Sequence, residues 1–352
     1  MTAIAIHPIA LHLYLQIMPA LKILVIRFSS IGDIVLTSAV VRCLKLQVKN
    51  VEIHALTKLN YAQLYAKNPH ISKVHLLGNS LSGTIKELKN EHFDYIVDLH
   101  TNLRSFRVRL ALGVKSAGFP KLNVRKYLLV HFKWHLMPDV HVVDRYFGAV
   151  KQLGVTNDGL GLDFFTDESD RLHENEIPLS HRQGYYAFVI GGNHLTKILP
   201  PSKVIETISL LDKPVILLGG KEDMVRAQEI ESSLPQKVWN VCGKISLGQS
   251  ATLVKDAQGV FTNDTGLMHI AAAFNKPVVS IWGNTVPELG MYPYIPLHPG
   301  RVAIIEQTGL SCRPCSKIGY SKCPKGHFNC MNEHKATQLV SAMESVIDMK
   351  NN

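Results

Sequence analysis

The sequence contains no apolar run long enough to cross a lipid bilayer, which takes about 20 consecutive apolar residues. This excludes a predicted membrane-spanning helix. The sequence also lacks internal repeats and low-complexity segments, and only two of its six cysteines lie outside one short cluster. With 352 residues, of which 46% are hydrophobic, it is long enough to bury a core and to form two domains.

The first residues lack the marks of a signal peptide. Residues 4–17 are apolar, but two histidines and a glutamine interrupt them, and neither a basic start nor a small-residue cleavage site is present. A predicted strand begins soon after Met18. We predict that Met18 is the natural start and that residues 1–20 are a non-native or disordered extension. A weak interfacial anchor is the alternative.

A block of Lys and Arg with interleaved aromatic residues is also missing. The net charge is nevertheless +10, from 38 basic and 28 acidic residues spread along the chain. A basic surplus favours anionic partners. Because the surplus is dispersed, nucleic acid is disfavoured, and we expect phosphorylated small molecules, bound at a membrane surface, as partners.

Predicted strands and helices alternate along the chain. Residues 21–28 are rich in Ile, Leu and Val, as in a strand buried on both faces, and residues 34–45 carry apolar residues at helical spacing. The alternation predicts an α/β protein with two Rossmann-like, doubly wound domains. We expect them at residues 21–170 and 180–335, followed at 336–352 by a helix that can pack back on the first domain.

A polar turn follows the first predicted strand and consists of Ser29, Ser30, Ile31, Gly32 and Asp33. Ligands of open α/β sheets collect at this edge, and Gly32 lets the backbone approach one closely. Asp33 is either a general base that takes a proton from a hydroxyl or simply a helix-capping residue. The turn lacks the GxGxxG pattern and no acidic residue ends the second strand, so a dehydrogenase is disfavoured.

A second polar turn lies within residues 261–283, which read FTNDTGLMHIAAAFNKPVVSIWG. The order is strand, turn, helix, strand, and backbone N–H groups at a helix start bind phosphate well. The helix places His269 one turn above Thr265. Gly266 costs about 1 kcal/mol relative to Ala in a helix, which favours close approach of a ligand. The alternative is a helix capped by Asp264 with one satisfied histidine.

Two glycine pairs follow further predicted strands. The pair at residues 191–192 precedes Lys197, a pattern suited to a diphosphate. The pair at residues 219–220 precedes Glu222, whose carboxylate suits ribose hydroxyls. A flexible loop with a solvated lysine and a first-turn helix carboxylate are the respective alternatives.

Four cysteines near the C-terminus form the pattern Cys312-x2-Cys315-x7-Cys323-x6-Cys330, with two histidines nearby. Such a set can bind zinc tetrahedrally. It lacks a second CxxC, however, so its spacing is irregular for a zinc ribbon, and disulfides are not expected in a cytosolic enzyme. A structural metal and a reduced, proline-containing loop both stay open.

A group of basic residues follows the strand that ends near Leu99. Solvated surface charge is the default interpretation for most of its members. Arg104 is the candidate for binding an anionic acceptor, because it follows the strand end most closely. The group comprises Arg104, Arg107, Arg109, Lys121, Arg125 and Lys126.

Taken together, these motifs resemble glycosyltransferase family 9, the ADP-heptose:lipopolysaccharide heptosyltransferases. The resemblance extends from about residue 22 to about residue 331. Its first and last long motifs are specific in combination. The matching segments are residues 22–45, 98–105, 141–154, 196–200, 217–223 and 261–283, and the closing CRPC…CPKGH…CM stretch.

The resemblance implies a GT-B fold, with the active site in the cleft between an acceptor-binding N-terminal domain and a nucleotide-sugar-binding C-terminal domain. It implies that Asp33 is the catalytic base, in a loop shaped by Ser29, Ser30 and Gly32, and that Arg104 lies near the acceptor. The residues implied for the donor are Lys197, Glu222, Asp264, Thr265, Gly266 and His269.

The implied activity is inverting transfer of heptose from ADP-heptose to a lipopolysaccharide inner-core acceptor, with no metal or other cofactor. The implied place is the cytoplasm, at the inner face of the inner membrane. Three alternatives stay open: transfer from another nucleotide sugar, a sugar-nucleotide epimerase or hydrolase, and a nucleotide-binding regulatory protein without turnover.

Overall fold

The structure, a computed structural model, describes residues 20–348. The predicted start at Met18 and nearly all of the predicted extension lie outside the described residues, as do residues 349–352. Within residues 20–348, no helix combines the length and the apolar character needed to cross a membrane.

The strands of the described residues alternate with helices, as predicted. They are β1 (Leu21–Ile26), β2 (Val51–Thr57), β3 (Lys73–Leu76), β4 (Tyr95–Asp98), β5 (Lys115–Gly118), β6 (Tyr186–Val189), β7 (Val215–Leu218), β8 (Val238–Asn240), β9 (Gly259–Asn263), β10 (Val278–Trp282) and β11 (Val302–Glu306).

The α-helices are numbered in the same way. They are α1 (Ile31–Leu36), α2 (Ser38–Gln47), α3 (Ala62–Ala66), α4 (Leu81–Lys89), α5 (Leu103–Leu112), α6 (Asn123–Phe132), α7 (Val142–Tyr146), α8 (Pro201–Leu210), α9 (Met224–Ser233), α10 (Leu247–Asp256), α11 (Gly266–Ala273), α12 (Asn329–Asn332) and α13 (Ala336–Asp348).

The first sheet has the strand order β3-β2-β1-β4-β5, and all its pairs are parallel. Its centre is β1, where Leu24 and Ile26 are fully buried, as expected for an Ile/Leu/Val run in a parallel sheet. The strand order changes direction between β1 and β4. The loops after these two strands therefore meet at one edge, where the Arg27 guanidinium donates to the carbonyl of Leu99.

The second sheet has the order β11-β10-β9-β6-β7-β8 and is also entirely parallel. Phe188 of β6 and Phe261 of β9 stand in register and stack, with ring centroids 5.1 Å apart. The order changes direction between β6 and β9. A ligand is therefore expected beyond the carboxyl ends of these two strands.

Contacts divide the chain into two compact units. In the described residues the first comprises 20–30, 37–121 and 143–158, and the second comprises 31–36, 122–142 and 159–348. Two parallel-sheet α/β units confirm the predicted fold class. The boundaries differ from the predicted ones, because α1 and α6 pack with the second unit although they precede its sheet in the chain.

The predicted single helix at residues 34–45 is two helices. Thr37 separates α1 from α2; it is fully buried, and its hydroxyl lies 3.3 Å from that of Tyr65. The reason for the break is that α1 belongs to the second unit and α2 to the first. The helical spacing of apolar residues continues through Thr37, so the sequence pattern predicts one helix. It does not show that the parts before and after Thr37 belong to different units.

The last helix packs on the second sheet. Leu339, Met343 and Val346 of α13 are buried in the apolar cluster that covers one face of that sheet. Gly259 of β9 makes room for them, since a Cβ there would lie 2.3 Å from the Met343 sulfur. The prediction that residues 336–352 pack back on the first domain is therefore wrong for the part that the structure describes.

Candidate active site

The loops after β6 and β9 are joined by the side chain of Asn263, the last residue of β9. This amide is fully buried; Nδ2 donates to the carbonyl of Gly191 at 3.2 Å, and Oδ1 accepts from the N–H of Leu199 at 3.2 Å. One amide thus fixes both loops at the switch point of the sheet. It positions Lys197 on one loop and Asp264 on the other.

Lys197 and Asp264 form an ion pair, with Nζ 2.6 Å from Oδ2. The same carboxylate oxygen accepts from the hydroxyl of Thr285 at 3.0 Å. The two charged side chains are 16% and 13% exposed, so both can still reach a ligand. Thr285 is not among the predicted site residues; its signal in the sequence is that it follows β10, the neighbour of β9.

The N-cap of α11 is Thr265, and its side chain makes no capping hydrogen bond. The alternative in which Asp264 merely caps this helix is therefore wrong, because Asp264 is paired with Lys197 instead. A helix start without a side-chain cap keeps first-turn N–H groups for another acceptor. Its partial positive charge attracts an anion.

Gly266 lies against α1. A Cβ on Gly266 would be 2.8 Å from Cγ2 of Ile31 and 3.2 Å from the backbone nitrogen of Gly32. The structure gives a reason for this glycine beside the predicted approach of a ligand: another helix approaches closely here.

His269 is buried on the side of α11 that faces α1. Burial lowers the pKa of His269 to about 4, although the charges of Asp264 and Asp33 raise it and that of Lys197 lowers it further. The imidazole is therefore neutral near pH 7. Among the described residues, its buried Nδ1 has no hydrogen-bond partner.

Asp33 lies half-buried in the first turn of α1, so contacts place it in the same unit as Lys197, Asp264 and His269. Ser29 and Ser30 precede α1 and are half-buried, in the first unit. The backbone carbonyl of Ser29 accepts from the guanidinium of the buried Arg27 at 2.8 Å. Arg27 thus fixes the start of the loop at Ser29, and α1, which follows this loop, carries the Asp33 carboxylate.

Glu222 is exposed in a short turn after β7, with its carboxylate beside Gly220. Its neighbour Asp223 is buried and accepts from the N–H of Gly220 at 2.8 Å. Burial raises the pKa of Asp223. A Cβ on Gly191 or Gly219 would lie within 3 Å of the Asp223 carboxylate, so Asp223 positions both glycine loops. Asp223 is not among the predicted site residues.

Arg104 is exposed at the second position of α5, in the first unit. The helix begins with a capping box in which Asn102 and Ser105 exchange hydrogen bonds at 2.9 Å. Arg109, from the same basic group, instead donates to the hydroxyl of Ser116 at 3.0 Å. Of these two arginines, Arg104 is exposed and Arg109 is half-buried.

The cysteine-containing loop contacts the loops that carry Lys197 and Thr285. Tyr320 exchanges two hydrogen bonds with Thr196, one residue before Lys197. The buried guanidinium of Arg313 donates to the carbonyl of Thr285 at 2.9 Å. The loop therefore supports both the lysine and the threonine that contact Asp264.

The cysteines in this loop are free thiols. Burial raises the pKa of Cys315 to about 11 and that of Cys330 to about 12, so both are protonated at neutral pH. The Cys312 sulfur lies 3.8 Å from Nε2 of His327. Within residues 20–348 the cysteines do not form a set of three ligand atoms within 4.8 Å.

The arrangement brings a carboxylate, a lysine and an uncapped helix start into one unit. The lysine and the helix start can neutralise a diphosphate. The carboxylate can accept a proton from a hydroxyl. These are the chemical requirements of group transfer from a nucleotide-activated donor.

Comparisons with known proteins agree with group transfer as the chemistry of this site. Residues 83–322, more than half of the chain, match the family described as glycosyltransferase family 9 (heptosyltransferase). The lipopolysaccharide heptosyltransferase 1 of Campylobacter coli is 24% identical over 292 residues, which cover 75% of this chain and 84% of that protein.

Two solved structures share the fold. The E. coli ADP-heptose lipopolysaccharide heptosyltransferase II has a TM-score of 0.70 and 19% identity, over 94% of this chain and 100% of the other. The family 9 glycosyltransferase of Veillonella parvula has a TM-score of 0.74 and 21% identity, over 94% and 98%. The predicted resemblance is confirmed: this chain belongs to glycosyltransferase family 9, the heptosyltransferases, and is a glycosyltransferase.

Proposed function

We propose that this enzyme transfers a heptose from ADP-heptose to a sugar hydroxyl of the lipopolysaccharide inner core, with inversion at the anomeric carbon. The observation that carries the proposal is the packing of α1 on α11 at Gly32 and Gly266. This packing fixes Asp33 in the unit that holds the ion pair of Lys197 and Asp264. The proposed general base, Asp33, and the proposed anion-binding group at Lys197 are thereby held in one unit by the contact between α1 and α11.

The diphosphate of the donor binds at the start of α11. Thr265 and Gly266 offer backbone N–H groups there, and Lys197 supplies a positive charge. Asp264 holds the lysine in place in the absence of the donor, and Thr285 orients Asp264. Two positive groups thus meet the charge that develops on the leaving ADP, so the proposed reaction requires no cofactor.

Asp33 removes the proton from the acceptor hydroxyl as its oxygen attacks the anomeric carbon. The bond from that carbon to the diphosphate oxygen breaks, and ADP leaves from the opposite face. His269 is a poor candidate for the base, since burial holds it neutral with a pKa of about 4. Its role is to support α1 and to offer a neutral ring beside the donor. Glu222, exposed after β7, binds the ribose hydroxyls.

The acceptor binds near Arg104. Arg104 and Arg107 are both exposed and stand three residues apart on α5, so their head groups lie on neighbouring positions of the helix surface. Guanidinium groups bind carboxylates and phosphates in a bidentate fashion. The acidic sugars and phosphates of an inner-core acceptor offer those groups.

The enzyme works peripherally at the cytoplasmic surface of the inner membrane. On and just after α6, the side chains of Val124, Tyr127 and Trp134 are 73%, 56% and 55% exposed. Arg125 and Lys126 lie on the same helix. Exposed aromatic side chains next to basic ones are typical of segments that rest on anionic lipid surfaces.

A panel of nucleotide sugars tests the donor. ADP-heptose at about 100 times its dissociation constant is expected to stabilise the protein by about 2.7 kcal/mol, visible as a raised Tm. A larger shift with UDP or GDP sugars would overturn the donor assignment. Incubation of ADP-heptose with and without an inner-core acceptor tests the reaction. Consumption without acceptor at the same rate would indicate a hydrolase or epimerase instead.

A further inference from the structure

Two histidine side chains of the first sheet contact each other. His54 lies on β2 and His75 on the adjacent β3, where His75 pairs with Leu56, two residues beyond His54. They therefore stand on one face of the sheet. Nδ1 of His54 is 2.9 Å from Nε2 of His75, and both side chains are buried, with 1% and 9% exposure.

A carboxylate completes the group. The Glu91 oxygens lie 3.9 Å from Nδ1 of His54 and 4.0 Å from Nε2 of His75. The three ligand atoms lie within 4.8 Å of one another. A zinc ion bonded to two imidazoles at about 2.0–2.1 Å separates their nitrogens by about 3.3 Å in a tetrahedral site. Shifts of a few tenths of an ångström accommodate such an ion.

The orientation of His54 is already that of a metal ligand. Its Nε2 lies 2.6 Å from the carboxylate of Glu52, which can only accept when ionised. In the neutral ring this contact places the proton on Nε2 and leaves Nδ1 facing His75 as an acceptor. A carboxylate behind a ligating histidine is the usual outer support of a metal site.

The surrounding residues hold the rings in place. Phe93 meets both imidazoles edge-on, with ring centroids 5.2 Å from His54 and 5.9 Å from His75. Lys73 lies 2.5 Å from one oxygen of Glu91, and Lys22 lies 3.6 Å from the other. The Lys73 side chain is 54% exposed, so it can move into solvent when a cation of higher charge arrives.

We propose that His54, His75 and Glu91 form a binding site for a zinc-like divalent transition ion in the first unit. The ion takes the place of the hydrogen between the two imidazoles, and the displaced proton of His75 moves to its Nδ1. Two imidazoles and one carboxylate favour zinc, cobalt or nickel over calcium and magnesium, which prefer oxygen.

The ion is expected to act on stability. Glu52 and Lys22 are second residues of β2 and β1, so the site lies toward the amino ends of these strands, whereas Ser29 and Ser30 follow the carboxyl end of β1. An ion bound there ties β2, β3 and the segment after α4 together. Because it binds the folded chain, it stabilises that chain by RT ln(1 + c/Kd), where c is the ion concentration, so the Tm rises with that concentration.

Cobalt titration of the chelator-treated, full-length protein tests the proposal. We expect one Co²⁺ to bind with an absorption spectrum that lacks a thiolate charge-transfer band, which separates this site from the cysteines. H75A is expected to weaken binding at least about tenfold, whereas H92A, an exposed neighbour of Glu91, leaves it unchanged.

Two further variants guard against misfolding of H75A. Glu52 is 37% exposed, so E52A should fold; loss of its support is expected to weaken cobalt binding about 10–100-fold. K73A removes the competing ammonium and is expected to tighten it. The proposal is overturned if no cobalt binds, if binding shows only a thiolate spectrum, or if wild type, E52A and K73A bind alike.

Discussion

Gly32 lies directly against the ring of His269: a Cβ on Gly32 would be 2.5 Å from Cδ2 of the imidazole. The same added Cβ would be 3.3 Å from the Cα of Gly266. The contact between α1 and α11 therefore depends on the absence of side chains at both positions. It sets where Asp33 stands relative to the start of α11.

The first prediction concerns Gly32→Ala. The added methyl group has no space, so we expect a loss of about 1–3 kcal/mol in the free energy of unfolding, together with reduced transfer. Urea unfolding measures the first and a transfer assay the second. Gly83→Ala is the control, because Gly83 is an exposed helical glycine with 3.7 Å to its nearest neighbour. It should be neutral or stabilising by up to about 1 kcal/mol. Equal stability of both variants would contradict the tight contact.

The second prediction concerns the base. Asp33→Asn keeps the size of the side chain and removes its ability to accept a proton. We expect kcat to fall by about 10²–10⁴-fold while the affinity for ADP, measured by calorimetry, stays within about twofold. Asp223→Asn is not a suitable control, since Asp223 supports the glycine loops. Near wild-type transfer by Asp33→Asn would remove Asp33 from the mechanism.

The third prediction concerns the ion pair of Lys197 and Asp264, which we propose faces the donor. Lys197→Met removes the charge and keeps the apolar stem, so we expect ADP to bind about 10–100-fold more weakly, the loss of one charged hydrogen bond. Thr285→Val is the matched control: it removes the other hydrogen bond to Asp264 and leaves the lysine charge. Calorimetry should show a much smaller effect for it. An unchanged ADP affinity in Lys197→Met would place the diphosphate elsewhere.

These positions differ in how far the sequence revealed them. The strand that begins at residue 21 and the polar turns could be predicted because each is a local pattern of residue types, whereas the roles of the donor residues stay predictions. The contact of Gly266 with Ile31 could not be predicted, since Ile31 lies in another helix far away in the chain. Thr285 was missed because neighbouring strands, not neighbouring residues, bring it to Asp264.

The group of His54, His75 and Glu91 was not found in the sequence either. Its members belong to two strands and to the segment after α4, and no short spacing marks them. Only the parallel register of β2 and β3 reveals that the histidines share a face. The packing of α13 shows the same limit: its apolar stripe predicts burial but not the surface that buries it.

The fourth prediction concerns pH. Burial lowers the pKa of His269 and of His334 to about 4, from 6.5 in the unfolded chain. Between these values the unfolded state binds more protons than the folded state, so stability is fully present above pH 6.5 and falls as the pH drops toward 4. Each histidine is expected to contribute about 2 kcal/mol of loss between pH 7.5 and pH 5. Urea unfolding at these pH values measures it.

The matched variant for this prediction is His269→Gln, which keeps polarity and cannot take up the proton in this range. Its stability should fall less than that of the wild type between pH 7.5 and pH 5. His173→Gln is the control, because His173 is exposed and is expected to leave the pH dependence unchanged. If His269→Gln has the wild-type pH dependence, the imidazole is not held neutral by burial.

The fifth prediction concerns the exposed aromatic side chains on and after α6. The double variant Tyr127→Ser/Trp134→Ser removes two rings that are 56% and 55% exposed, so folding should be unaffected. We expect it to sediment with anionic vesicles at least about tenfold less than the wild type, because aromatic burial at the interface is lost. Leu179→Ser changes a side chain that is 77% exposed elsewhere in the same unit and is expected to bind like the wild type. Binding that falls equally in both variants would indicate general hydrophobic adsorption, and binding that persists in the double variant would place the membrane contact on another surface.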